Sequence, residues 1–175
     1  VTGWTESNET TFPVTVGPDL TYNGAGDAFV AKVDASGTGL VYCGYIGGSS
    51  IVEGWGIAVD GSGNAYVTGR TSSDEKTFPV TVGPDLMHNG KRDAFVAKVN
   101  TAGTGLVYCG YIGGVKGDWG KGIAVDGSGN TYVTGGTASN EKTFPVAVRP
   151  DLTYNGGGDA FVAKVDASGT GLVYC

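Results

Sequence analysis

Hydrophobic and polar residues alternate along this chain in short runs that are separated by turn-forming residues. In the middle of the chain, four such runs follow one another at residues 56–60, 65–71, 94–99 and 105–112. They are rich in β-branched and aromatic residues and are bounded by Gly, Asn, Asp or Ser, which is typical of β-strands. No segment sustains a period of 3.6 residues, so the pattern predicts an all-β protein with almost no helix.

The same four runs recur with a period of 66 residues. Residues 1–66 align without a gap with residues 67–132, and 48 of the 66 positions are identical. Residues 133–175 then repeat the first 43 positions with six differences. Four antiparallel strands in tandem repeats are the pattern of β-propeller blades, each of which buries both faces by stacking on its neighbours. A β-solenoid is the alternative, but its repeat is usually much shorter.

The repeat boundaries predict an incomplete propeller. With the strands of a blade named a to d, the chain reads b-c-d, a-b-c-d, a-b-c-d, which is about 2.7 blades in one domain over residues 1–175. A closed ring needs roughly four to eight blades. The end blades would expose apolar faces and an unpaired strand edge. We therefore expect either association with further copies of the chain or a place within a longer array of blades.

Composition narrows the range of partners. The net charge is −6, and no Lys/Arg cluster is present beyond the pair Lys91-Arg92, which is interpreted as ordinary surface. Such an acidic chain is not expected to bind nucleic acid or anionic membranes. No apolar stretch approaches the roughly 20 residues that span a bilayer, so no membrane insertion is expected. The 33 glycines fit many short strands joined by tight turns.

Several sequence motifs carry a resemblance to a known family. They are Thr-Phe-Pro-Val-Thr at 77–81, Asp-Ala-Phe-Val-Ala-Lys at 93–98, Gly-Leu-Val-Tyr at 105–108, Tyr-Ile-Gly-Gly at 111–114, Gly-Ile-Ala-Val-Asp-Gly-Ser-Gly-Asn at 122–130 and Tyr-Val-Thr-Gly at 132–135. Over essentially its whole length, the chain resembles the bacterial and archaeal SBBP β-propeller repeats. The stretch from residue 122 is also similar to NHL-type blades. The resemblance implies secreted or cell-surface proteins of many blades, with no defined reaction and no catalytic residues to carry over.

One departure from the family concerns three cysteines, which stand where Ser or Thr is expected: Cys43, Cys109 and Cys175. A disulfide needs Cα atoms within about 7 Å, and equivalent outer-strand positions on adjacent blades should lie farther apart. No Cys-x-x-Cys pair occurs, so zinc and redox motifs are not expected. A small buried apolar residue is the favoured interpretation. An intermolecular bridge is the alternative.

Two glycine-rich turns place oxygen ligands at alternate positions, as at the start of a calcium loop. The weak calcium candidates are Asp60, Ser62, Asn64, Asp126, Ser128 and Asn130. The bidentate Glu that closes such a loop is missing, because position 12 from Asp60 is Thr71. An Asx-type hairpin turn is therefore favoured over a metal site, and no cofactor is expected.

Charged residues also recur within the third strand of each unit: Asp27 with Lys32, Asp93 with Lys98 and Asp159 with Lys164. Odd spacing on a strand places the two members on opposite faces. We expect structural ion pairs with neighbouring strands or at the propeller axis. A ring of lysines that lines a central channel and binds an anion is the alternative.

The connections between strands b and c are long, at residues 5–26, 71–92 and 137–158, and long loops are often functional. Their repeated Phe12, Phe78 and Phe144 should anchor each loop to its own blade. The candidate contact residues are aromatic residues or histidine: Trp4, Tyr22, Trp55, His88, Trp119 and Tyr154. For the tryptophans, core packing is favoured over sugar stacking or protein contact. A lone glycosylation sequon, Asn8-Glu9-Thr10, is absent from the other units.

An enzyme is not expected. His88 is the single histidine and lies in a loop, so no repeated Ser/His/Asp set can form. We expect an extracellular or cell-surface scaffold that assembles edge to edge, with itself or within a larger protein. A glycan- or protein-binding propeller that uses the variable loops is the alternative, and a hydrolase fragment is a more distant third.

Overall fold

The computed structural model describes residues 1–148 and 151–175, which form eleven β-strands and no helix. The strands are β1 (Thr2–Thr5), β2 (Asp27–Val33), β3 (Leu40–Ile46), β4 (Val52–Val59), β5 (Ala65–Thr71), β6 (Asp93–Val99), β7 (Leu106–Ile112), β8 (Asp118–Val125), β9 (Thr131–Thr137), β10 (Asp159–Val165) and β11 (Leu172–Tyr174). Within these described ranges there is accordingly no helical segment that could cross a membrane.

The strands form three antiparallel sheets in the order that the repeat predicts. The first blade is β1-β2-β3, the second blade is β4-β5-β6-β7 and the third blade is β8-β9-β10-β11. Within each sheet, every strand pairs with the strands next to it in sequence, as expected for an antiparallel meander. The prediction of an all-β, partial propeller is therefore confirmed.

Strand a of each complete blade begins earlier than the apolar run predicts, at Val52 instead of Gly56 in the second blade. A β-bulge between Gly54 and Gly56 lets the pairing continue past this point. The extra residue of the bulge is Trp55, and its counterpart in the third blade is Lys121. A bulge turns one side chain out of the regular alternation, and the two bulge residues contact each other, with the Lys121 ammonium 3.9 Å from the Trp55 ring centre.

Blades pack face to face, and each blade has two different faces. The trailing face of the second blade includes Ala94 and Val96 and packs on the third blade. The leading face of the second blade includes Val67, Phe95 and Val99 and packs on the first blade. All five side chains are buried. Burial of both faces explains why the strands are apolar or small at nearly every position.

The outer edge of each blade is covered by its own b–c loop. The Cys43 amide donates to the Val16 carbonyl at 2.8 Å, and the Thr15 amide donates to the Cys43 carbonyl at 3.0 Å. The second blade repeats both bonds. Glycine permits the close approach, since a Cβ built on Gly110 would lie 2.6 Å from Gly83 Cα. The backbone groups of these outer strands are therefore already paired, and assembly edge to edge stays a prediction that would have to use other strand edges.

The predicted phenylalanine anchors are confirmed. Phe78 is buried, and its ring centre lies 5.4 Å from those of Phe95 and Tyr111 in the same blade. Phe12 and Phe144 make the corresponding contacts in the other two blades, with ring centres 5.1 Å from the nearest strand phenylalanine. Each loop is thereby held on the blade that it leaves and re-enters.

Candidate functional site

The three cysteines are buried and free. Cys109 lies in the core between the first and second blades, and Cys175 in the core between the second and third. Burial raises the pKa of all three thiols, that of Cys175 to about 12. Thiol exchange needs an accessible thiolate, so this environment fits the favoured packing role and not an intermolecular bridge between folded blades.

The glycine-rich turns are hydrogen-bonded Asx turns. Asp60 Oδ1 accepts from the backbone amides of Ser62 and Asn64, and Oδ2 accepts from the Asn64 side chain and the Tyr66 hydroxyl, at 2.8–3.0 Å. Asp126 repeats this arrangement with Ser128, Asn130 and Tyr132.

The charge state of the second turn follows from these bonds. The hydrogen bond from the Asn130 side chain is the largest cause that lowers the pKa of Asp126, to about 2. The described residues contain no group of three or more His, Cys, Asp or Glu side chains that could hold a metal ion. Of the six weak calcium candidates, Asp60 and Asp126 use their carboxylate oxygens within the turns, and Asn64 and Asn130 donate to them through their side-chain amides.

The predicted ion pairs of the third strand are wrong. Lys98 lies opposite Tyr66 in the strand register and places its ammonium 5.0 Å from the Tyr66 ring centre. Lys164 stacks in the same way on Tyr132. The one salt bridge within residues 1–148 and 151–175 joins Arg70 and Glu53. Both lysines lie on strand c, the third strand in the order of each sheet, and the lysine ring around an axis stays a prediction.

The recurring aspartates hold the loops between blades, which the sequence reasoning missed. The Asp93 carboxylate is buried, and Oδ2 accepts from the Asn89 amide at 2.8 Å while Oδ1 has no partner. Gly113 is required beside it, since a Cβ there would lie 2.6 Å from Asp93 Cγ. Oδ2 of the neighbouring Asp118 accepts a hydrogen bond from the Gly114 amide at 2.7 Å.

The environment of Asp93 changes its acidity. Burial raises the pKa of Asp93 to about 7, and the negative charges of Asp118 and Asp85 add to the increase. In the first blade, the corresponding Asp27 pKa is also raised by burial, but hydrogen bonds from the Asn23 and Gly48 backbone oppose that increase. The second blade thus holds a buried carboxyl with fewer donors and with two negative charges that raise its pKa, against one in the first blade.

The six candidate contact residues do not form one site. Tyr22 and His88 pack on the outer strand of their own blades, 6.0 Å from Tyr45 and 5.6 Å from Tyr111 between ring centres. Trp4 is exposed and lies over Gly26. These residues shape separate parts of the surface.

Trp55 and Trp119 occupy different positions on strand a. Trp55 is the bulge residue of its strand and is held between Lys121 and Arg70. Trp119 lies opposite Gly136 in the strand register and packs beside Gly117, where an added Cβ would be 3.1 Å from its ring.

A pocket of about 730 Å³ opens between the second b–c loop and the loop that enters the third blade. Its lining residues are Ser72, Lys91, Arg92, Lys116, Gly117 and Trp119. Tyr154 of the third b–c loop stands nearby, with its ring centre 6.0 Å from the Lys116 ammonium. The sequence reasoning assigned Lys91 and Arg92 to ordinary surface. Position-by-position comparison of the repeats carries the signal that could have identified the pocket.

Sheets of four antiparallel strands that repeat in tandem and pack face to face define a repeat protein built from β-propeller blades. Residues 42–75 and 110–141 match the family model of SBBP, the beta-propeller repeat. Two segments of the chain thus match SBBP β-propeller repeats, in agreement with the resemblance that its motifs carry. Each match begins in strand d of one blade and runs through strands a and b of the next. No curated protein matches the chain significantly.

Proposed function

We propose that the chain is a structural scaffold whose two end faces bind further blades of the same repeat, supplied by a second copy of the chain. The observation that carries this proposal is the contrast between equivalent residues inside and at the ends of the stack. The repeats are nearly identical. A residue that is buried between two blades therefore indicates that its exposed counterpart at an end face can be covered by a blade of the same kind.

The trailing face of the third blade is the first of these end faces. Val96 is fully buried under the third blade, whereas the equivalent Val162 is 39% exposed. Ala94 and Ala160 differ in the same way. An apolar face of this composition resembles one half of an interface that the chain forms twice internally.

The leading face of the first blade is the complementary half. Val33 is 44% exposed, although the equivalent Val99 is fully buried against the preceding blade. Val1 and Val67 show the same contrast. Since the two end faces correspond to the two sides of one interface, head-to-tail contact between copies supports either a closed ring or an open filament.

The test is the mass of the particle in solution, measured by light scattering over a range of concentrations. We expect multiples of the chain mass, and Val162→Asp should shift the population to single chains. Val107→Asp is the matched control, because Val107 is 46% exposed and its counterparts Val41 and Val173 are exposed in the other blades too. Single chains at high concentration, or equal effects of both substitutions, would argue against this assembly.

We further propose an extracellular or cell-surface location and a role that does not involve catalysis. The family resemblance supports the location, and fractionation of cells that produce the protein would test it.

A second role is favoured by the pocket between the second and third blades: recognition of a ligand by the variable loops. The residues that line the pocket differ from those at the equivalent positions of the preceding junction. Scaffolding alone gives no reason for such a difference.

A further inference from the structure

We infer that the pocket lined by Lys91, Arg92, Lys116 and Trp119 binds a short anionic saccharide, with its acidic groups on the three cations and a sugar ring against the indole. This inference rests on the ligand-binding role proposed for the variable loops and does not depend on assembly through the blade faces.

The first support is a concerted change of charge between two junctions of the same protein. The lining of the pocket carries three cations and no carboxylate. The equivalent positions at the preceding junction are Glu6, Ala25, Gly26, Ser50, Ile51 and Glu53, which carry two carboxylates and no cation. All six positions differ, although 48 of the 66 positions in these two repeats are identical. The change is therefore concentrated on one surface and has one electrostatic direction.

The second support is that the cations are free to meet a ligand. The one salt bridge found in the described parts of the chain joins Arg70 and Glu53, so Lys91, Arg92 and Lys116 have no carboxylate within ion-pair distance there. All three side chains are exposed. The nearby Asp118 is buried and accepts from Gly114 and Ser139, so it is turned away from the solvent-exposed pocket.

The third support is the rigidity of the backbone that carries these side chains. The Asp118 amide donates to the Arg92 carbonyl at 2.8 Å, and Arg92 and Gly117 form a parallel bridge. The Lys116 amide donates to Ser139 Oγ at 3.0 Å. Both walls of the pocket are thus fixed to each other or to the third blade, which lowers the entropy that a ligand must remove on binding.

The indole and the overall charge narrow the class of ligand. Trp119 packs on Gly117 and is partly exposed, so it offers an aromatic surface for a ring that lies flat. The chain as a whole carries a net charge of −6, which opposes the approach of a long polyanion such as nucleic acid. A short saccharide with carboxylate or sulfate groups combines a ring for the indole with anions for the lysines and the guanidinium.

The experiment is isothermal titration calorimetry of the full chain with three probes: an oligogalacturonate tetramer, a heparin tetrasaccharide and the neutral maltotetraose. We expect at least one anionic probe to bind and the neutral probe not to bind. Which anionic probe binds more tightly indicates whether the pocket prefers carboxylate or sulfate groups. Lys91→Ala combined with Lys116→Ser, which installs the residues of the preceding junction, should weaken binding at least about tenfold. Lys32→Ala is the control, since Lys32 lies exposed on the first blade, and it should leave affinity unchanged.

Three outcomes would overturn the inference: no binding of either anionic saccharide at millimolar concentration, equal loss of affinity in the control and the double variant, or equally tight binding of inorganic sulfate or ATP. The last outcome would assign the pocket to simple anions or nucleotides. Trp119→Leu separates these cases further, because it should weaken the saccharide and not sulfate. Loss of particle mass without loss of saccharide binding would count against the assembly alone.

Discussion

Replacement of Asp93 by asparagine should stabilise the protein at neutral and alkaline pH and have little effect in acid. Asp93 is buried, one of its oxygens has no partner, and burial raises its pKa to about 7. In the unfolded chain its pKa returns to roughly 3.9. At pH values between these two pKa values, Asp93 is protonated in the folded protein and ionised in the unfolded chain. Stability is therefore highest below the unfolded value and falls as the pH rises toward 7.

The size of the effect follows from the difference between the two pKa values. Three pKa units correspond to roughly 4 kcal/mol, and relaxation around an ionised Asp93 would reduce this to about 2–4 kcal/mol. The asparagine side chain of the variant would stay neutral and keep an oxygen for the Asn89 amide. We thus expect the variant to exceed the wild type by that amount at pH 8 and by less than about 1 kcal/mol at pH 4.5.

Urea denaturation followed by tryptophan fluorescence at both pH values gives the required free energies. Asp159→Asn, measured at a concentration where the chains are single, is the matched control, because Asp159 then has no blade packed beyond it. It accepts the equivalent bond from Asn155 at 2.7 Å but is partly exposed. It should show no comparable gain at pH 8. A difference between Asp93→Asn and wild type that is the same at both pH values would refute the reasoning.

Three further perturbations test other parts of the structure. Gly110→Ala should cost roughly 1–3 kcal/mol, because its Cβ would lie 2.6 Å from Gly83 Cα. Gly127→Ala, with nothing within 4 Å, should change stability by less than about 0.5 kcal/mol; similar costs in urea denaturation would contradict the loop contact. The three buried thiols should react with a thiol reagent at pH 8 no faster than the protein unfolds, and immediate labelling would contradict their burial. Millimolar calcium should leave the midpoint of thermal unfolding unchanged, because the oxygens of Asp60 and Asp126 already accept hydrogen bonds. A higher midpoint with calcium would instead support a calcium site in these turns.

Much of the fold could be predicted because it depends on features that repeat in the sequence. The blade order, the phenylalanine anchors and the strand positions, except for the start of strand a, follow from residue type and period. The sequence did not predict that each b–c loop covers the outer strand of its blade. That contact is made by backbone hydrogen bonds, which do not depend on particular side chains. Its one trace is a pair of glycines in each of the first two units, such as Gly83 and Gly110. The lysine stacks depend on the strand register, which sets Lys98 opposite Tyr66 and which alternation alone leaves open.

The pocket is lined by residues at positions where the near-identical repeats differ. Eighteen of the 66 aligned positions in the first two units differ, and six of them line this one pocket. Surface loops vary freely, so a cluster of differences alone would carry little weight. Neutral drift, however, is not expected to remove two carboxylates and add three cations together at one junction of an acidic chain. The direction of the change, more than its extent, therefore supports the proposed anionic ligand at this junction.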